Sequence, residues 1–206
     1  MIHGLAAIER SANDQRRLVD DLLDMSRIVS GKFRLEIAVA NLRTIIDDAL
    51  IAIGPAAEAK RLVIETDIDG DMVIRADSPR LQQVLWNLLS NAVKFTPPAG
   101  VITIAARRAR ESISIQVTDT GVGIEPELLP YVFDRFRQGD GSPTRFHGGL
   151  GLGLSIVRTI AELHGGTVVA ASPGRNQGAT ITMTLPVSMA PDETAAARGT
   201  HDCAVT

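Results

Sequence analysis

Three groups of residues in this chain have the types and spacing for chemistry on a phosphorylated ligand. In "NLLSNAVKF" (87–95), Asn87, Asn91 and Lys94 fall at i, i+4 and i+7, a single face of a helix. Two carboxamides and an ammonium aligned in this way can hold a hydrated Mg²⁺ and the phosphates around it, because Mg²⁺ takes oxygen ligands and keeps several waters. In "DTGVGI" (119–124), Asp119 follows an apolar run, and Gly121 and Gly123 let backbone approach a flat ligand closely. A carboxylate there can accept a hydrogen bond from an exocyclic amine, as on adenine. In "HGGLGLGLSIV" (147–157), Gly148, Gly149, Gly151 and Gly153 lie just before or within the first turn of a helix. Such backbone presents free N–H groups and the positive end of the helix dipole to phosphate. Taken singly, each has a plainer reading: a solvated polar face, an Asp-Thr-Gly turn, a flexible turn. A glycine repeat alone is weak. The order of all three along one chain, with strands between them, is what argues for a nucleotide.

These residues need elements to carry them. Leu5, Ile8, Ala12, Leu18, Leu22, Met25 and Val29 recur at steps of three and four and predict a helix over 5–29, ended near Gly31. A second amphipathic helix is expected over 41–53, then two short strands in 61–77 around a turn at Asp69-Gly70-Asp71. Ser78 can cap a helix with Pro79 at its first position, running to about Phe95 before Pro97-Pro98. Its buried stripe is Leu81, Val84, Leu85, Leu88, Leu89 and Ala92. Alternation predicts a strand pair in 101–119, and a helix follows at about 152–164, closed by Gly165-Gly166. Two more strands are expected in "TVVAAS" and "ATITMTLP". Helices and strands partly segregate, which predicts an α+β fold, a two-layer α/β sandwich with helices on one face, preceded by a helical segment. After Pro186 the composition turns to Ala, Thr, Asp and Gly and reads as a disordered tail.

Composition narrows the function classes. The 206 residues carry a net charge of −3, without the concentrated basic surface that nucleic acid binding needs. The single cysteine, Cys203, allows no internal disulfide and no thiolate metal cluster. No apolar run approaches the roughly 20 residues that span a bilayer, and no signal segment opens the chain. A cytoplasmic protein without membrane contact of its own is expected, whether free or as the cytoplasmic part of a membrane-bound sensor.

With "NLLSNAVKFT", "DTGVGI", "VFDRFRQ" and "HGGLGLGLSIV" together, the chain resembles the ATP-binding domain of bacterial sensor histidine kinases. Those belong to a superfamily shared with gyrase, a chaperone and MutL. The resemblance covers roughly residues 1–186. It implies a Bergerat-type ATP-binding fold, the cofactors ATP and Mg²⁺, and transfer of the γ-phosphoryl to a histidine for relay to a response regulator aspartate. It implies three segments: 1–33, the second helix of a dimerisation and phosphoacceptor hairpin; 34–188, the catalytic domain; and the tail, 189–206. Asn91 would be the principal Mg²⁺ ligand, with Asn87 beside it and Lys94 on phosphate. Asp119 would bind the adenine amine, with Gly121 and Gly123 shaping the pocket and Thr180 near the base through water. Gly149, Leu150, Gly151, Leu152, Gly153 and Leu154 would wrap the phosphates. The loop from about Arg137 to Gly149 would be a mobile lid held by Phe133 and Phe136, with Gln138 and Arg145 as phosphate contacts. Related ATPases that hydrolyse ATP carry a glutamate where this chain has Asn87, and an amide cannot serve as that general base. The resemblance therefore implies transfer to a side chain over hydrolysis.

One family motif is missing: no Ser-His-Glu-Leu-Arg-Thr-Pro-like segment accompanies any of the four histidines, His3, His147, His164 and His201. Glycine, not an acid, follows His3, and His164 reads as a helix-end cap. No phosphoacceptor is assigned within the chain, and the acceptor helix of a full-length kinase becomes an expected partner beside the receiver domain. Homodimerisation through the first helix is left open. Two alternatives share these motifs: an anti-sigma-type serine kinase, and a non-catalytic fragment that binds nucleotide or a partner.

Overall fold

The computed structural model describes residues 2–137 and 151–187, with side chains of the first helix mainly from residue 18 onward. The expected tail, the expected lid beyond Arg137, and with it Gln138, Arg145, His147, Gly149 and Leu150, lie outside the described residues. The elements in chain order are α1 (Ile2–Val29), β1 (Ala38–Asn41), α2 (Leu42–Ala59), β2 (Val63–Ile68), β3 (Val73–Ala76), α3 (Ser78–Phe95), β4 (Val101–Arg108), β5 (Ser112–Asp119), a short 3-10 turn (Leu129–Tyr131), α4 (Gly153–Leu163), β6 (Thr167–Ala171) and β7 (Ala179–Pro186).

Five strands form one sheet in the order β2-β4-β5-β7-β6. Its β2–β4 pair is parallel and the others are antiparallel. Alternation along β4 and β5 turns Ile102, Ile104 and Ala106, and Ile113, Ile115 and Val117, inward, where all are buried. Met183 and Leu185 of β7 join them. Helices α2, α3 and α4 cover that face. Their contributions include Ile46, Ile53, Leu81, Leu85, Leu89, Ile156 and Ile160, each almost fully enclosed. This is the two-layer α/β sandwich that the segregated pattern predicts.

Three local details depart from the sequence reading. The strands in 61–77 do not pair with each other. β2 pairs with β4, while β3 pairs with β1 in a separate antiparallel ribbon. Helix α2 continues through Gly54-Pro55 to Ala59, because Ile53 and Ala57 both pack into the core. The cap of α3 is Asp77, whose carboxylate accepts from the Arg80 N–H at 3.1 Å and from the Glu36 N–H at 2.8 Å. Ser78 is already helical.

The C-terminal part of α1 docks on the sandwich. Asp24, only 5% exposed, takes the Arg80 guanidinium at 2.6 Å and the Gln83 amide at 2.9 Å. Arg80 also stacks over the Phe33 ring at 4.5 Å. Met25 and Phe33 enter the common core, whereas Leu22 and Val29 of the same helix are exposed. Gly31, at φ +66°, closes α1 as expected.

Candidate functional site

The site is assembled where α3, the end of β5 and the start of α4 meet. The stripe Leu81 to Ala92 of α3 is buried as one face, so Asn87, Asn91 and Lys94 are held on the opposite, half-buried side. Burial pushes the Lys94 ammonium below its ordinary value, and its Nζ stands 4.8 Å from the Phe95 ring centroid.

The β5 strand delivers Asp119 beside α3. Its Oδ1 accepts from the Gly121 N–H at 2.8 Å. Burial pushes its pKa above the usual carboxylate range, partly offset by backbone hydrogen bonds from Gly121 and Ala179. Directly opposite on β7 lies Ala179, and the next pair, Thr118 and Thr180, share a hydroxyl contact of 3.1 Å. The turn after Asp119 is tied to α3 by the Val122 N–H, which donates to the Phe95 carbonyl at 3.2 Å. A Cβ on Gly121 would lie 2.5 Å from that carbonyl, so only glycine fits.

At the third corner α4 begins at Gly153. The Asn87 Nδ2 donates to the Gly153 carbonyl at 3.4 Å. Gly151 adopts φ +69°, and its carbonyl accepts from the Phe136 N–H at 3.1 Å. Leu152 is buried in the core and Leu154 is partly buried against it. What this stretch can offer a ligand is therefore main chain at Gly151 and Gly153, not the leucine side chains. Phe136 is largely exposed, at φ +60°.

The structure thus brings Asn87, Asn91, Lys94, Asp119, Gly121, Gly151, Gly153 and Thr180 around one region. It also shows support that the sequence reading missed. Ser172 Oγ accepts from the Ile124 N–H at 2.9 Å and donates to the Gly178 carbonyl at 2.6 Å. Gly123 and Gly178, both at positive φ, pack so closely that a Cβ on either would come within 2.0 Å of a neighbouring carbonyl oxygen. Ser172 and Gly178 lie more than fifty residues beyond Asp119, and no local spacing announces them, whereas Gly123 already stands out in the sequence. His164 ends α4 as expected and does more. Its Nδ1 faces the Ile160 carbonyl at 2.8 Å, and its Nε2 accepts from the Asp77 N–H at 3.0 Å. It thereby joins the end of α4 to the cap of α3.

Among the described residues no group of three or more His, Cys, Asp or Glu could hold a metal by itself. The oxygen donors on the α3 face are the amides of Asn87 and Asn91. Such a set suits a hard cation whose other ligands are phosphate oxygens and water, not a self-sufficient protein metal site.

The fold is an α/β sandwich with a half-buried carboxylate at a strand end, an amide-bearing helix face and glycines at the start of a helix. Residues 76–189 match the family described as histidine kinase-, DNA gyrase B-, and HSP90-like ATPase, and the chain belongs to it. It is 39% identical over 89% of its length to the hybrid signal transduction histidine kinase D of Dictyostelium discoideum, covering 14% of that protein. It superposes on full-length ShkA in complex with AMPPNP, with a TM-score of 0.77 at 28% identity, over 92% of this chain and 39% of that one. It also superposes on the histidine kinase ThkA in complex with the response regulator protein TrrA. There the TM-score is 0.67 at 25% identity, over 86% of this chain and 49% of that one. The chain spans 14 to 31% of the length of curated histidine kinase relatives. No helix among the described residues is long and apolar enough to cross a membrane.

Proposed function

We propose that this chain is the Mg-ATP-binding catalytic part of a two-component histidine kinase. It transfers the γ-phosphoryl of ATP to a histidine on an acceptor helix, for relay to the receiver domain of a response regulator. The observation that carries the reading is the convergence of the Asn87–Asn91–Lys94 face with the Asp119 turn and the start of α4. Structural relatives solved with AMPPNP and with a response regulator protein support both the nucleotide and the regulator partner.

In this reading Asp119 accepts from the adenine amine, and Gly121 and Gly123 leave room for the ring, with Thr180 beside it. Lys94 contacts phosphate, and main chain at Gly151 and Gly153 faces it. Asn91, with Asn87 close by, holds Mg²⁺ through amide oxygens; the ion supplies charge neutralisation on the phosphates. The acceptor imidazole nitrogen forms the new N–P bond, the bond to the β–γ bridging oxygen breaks, and ADP leaves. Asn87 cannot take a proton from water, so catalysis rests on positioning and electrostatics. Residues 1–33 serve as the second helix of the acceptor hairpin, and 34–188 as the catalytic domain. Gln138, Arg145, Gly149 and Leu150 complete the phosphate end.

The test is a calorimetric titration with Mg-ATP, then incubation with γ-labelled ATP with and without a supplied acceptor hairpin. Binding, with an acid-labile phosphate appearing on the hairpin, is expected. Acid-stable phosphate on a partner's serine would replace this reading with a serine kinase. Failure to bind Mg-ATP would leave partner binding as the function.

A further inference from the structure

A helix leaves its last four carbonyls without intrahelical donors. In α3, the helix that carries Asn87, Asn91 and Lys94, these are the carbonyls of Ala92, Val93, Lys94 and Phe95, and every one has a partner. Ala92 accepts from the Thr96 N–H at 3.0 Å and the Thr96 hydroxyl at 2.6 Å. Phe95 accepts from the Val122 N–H, on the turn beyond Asp119. Val93 and Lys94 are both taken by one distant side chain: Lys60 Nζ donates to their carbonyls at 2.7 and 2.8 Å, and to that of Thr96 at 3.2 Å. An ammonium has three N–H donors and no acceptor, so Lys60 is fully used here. Its backbone carbonyl accepts from the Ala99 N–H at 3.1 Å. One residue at the end of α2 therefore clamps the last turn of α3 and the 96–99 turn after it. A cation at this end of a helix also opposes the negative end of its dipole.

We propose that Lys60 is a positioning residue for the phosphate end of the site. By fixing the last turn of α3, it sets where Asn91 and Lys94 stand relative to the Asp119 turn that receives the base. The inference rests on the nucleotide reading above. The base end has its own anchors: the β5–β7 pairing at Asp119 and Ala179, and the bonds of Ser172. Losing Lys60 removes the donor from the carbonyls of Val93, Lys94 and Thr96 and frees the last turn of α3, while those anchors persist. Displacements of about 1 Å at a reacting centre are costly, so the effect falls on the phosphate end.

The experiment compares Mg-ATP and adenosine binding in the whole chain and in Lys60→Met, Lys60→Gln and Lys60→Arg. Lys60→Met should weaken Mg-ATP about tenfold or more and leave adenosine within about twofold. Lys60→Arg, which keeps a charged multiple donor, should recover most of the loss, and Lys60→Gln should fall between. Equal loss of both ligands in Lys60→Met, or no loss of Mg-ATP, overturns the proposal. Where Lys60→Met does not fold, the same comparison of the two ligands in Lys60→Gln decides it. A wild-type chain that binds adenosine but not Mg-ATP overturns the nucleotide reading itself, a result distinct from the pattern that sinks Lys60 alone.

Discussion

Asn87 and Gly153 meet across the junction of α3 and α4. The Asn87 amide donates to the Gly153 carbonyl at 3.4 Å, and a Cβ on Gly153 would stand 3.3 Å from Asn87 Oδ1. The contact couples the polar face of one helix to the first residue of the other, so each limits where the other can go.

Gly153→Ala should therefore separate binding from stability. The backbone here is not in the left-handed region, and alanine is the better helix former, so unfolding free energy should change by less than about 1 kcal/mol. The added methyl must push Asn87 by a few tenths of an ångström. Mg-ATP affinity should drop severalfold while the urea midpoint holds. A drop in both together would point to a general packing fault.

Gly178→Ala should behave in the opposite way. Gly178 has φ +73°, and a Cβ would come within 2.0 Å of the Asp119 carbonyl oxygen. Neither backbone nor strand can yield cheaply, so a loss of about 2 kcal/mol or more is expected in chemical denaturation. Gly123→Ala, at φ +68° against the Gly174 carbonyl, should cost a similar amount. A neutral effect at both would show that the turn relaxes freely.

The helices and the chemical face of the site were legible in the sequence because their signals are local. The stripe Leu81 to Ala92 reads off the 3.6-residue period, and Asn87, Asn91 and Lys94 follow from it. Asp119 sits at the end of an alternating strand, and Gly151 and Gly153 stand at a helix start. What stayed hidden was long-range or offset by one residue. β1 has only four residues, Ala38–Asn41, and shows no period. Asp69-Gly70-Asp71 looks like a hairpin turn, yet β2 finds a parallel partner in β4, a pairing that no local pattern encodes. Asp77 and Ser78 are both good caps, and contact with Glu36 favours Asp77. Lys60, in "AEAKRL", looks like a solvated helix end. Ser172 and Gly178 support the Asp119 turn from more than fifty positions away.

The pair Asp24–Arg80 makes a claim about α1. The Asp24 side chain is 7% exposed and the Arg80 side chain 23%, so removing one partner strands the other in poor solvent. Asp24→Ala should destabilise the docked part of α1 by about 3 kcal/mol, with faster proteolysis in the connector 30–37. Mg-ATP affinity should stay unchanged, since Arg80 lies two turns of α3 before Asn87. Unaltered cleavage would show that Met25 and Phe33 hold α1 without the ion pair.

Asp119→Asn should gain stability and lose function together. Burial raises the folded-state pKa of Asp119 above its ordinary value, so ionisation costs the folded state more than the unfolded one. The sign follows from proton linkage. Below the unfolded value both states are protonated and Asp119 contributes nothing. Above the folded value both are ionised and the full penalty applies. The penalty therefore grows as pH rises between the two, and at pH 7 the asparagine variant should be the more stable protein. That advantage should fade in acid, which denaturation curves at pH 7 and pH 4 would reveal. Binding should move the other way. Asparagine can accept from the Gly121 N–H only by turning its NH₂ toward the base, where it meets the donor amine of adenine. Mg-ATP should weaken about tenfold or more, while Mg-tripolyphosphate, which lacks the base, should bind as before. Equal weakening of both ligands would remove Asp119 from the adenine pocket.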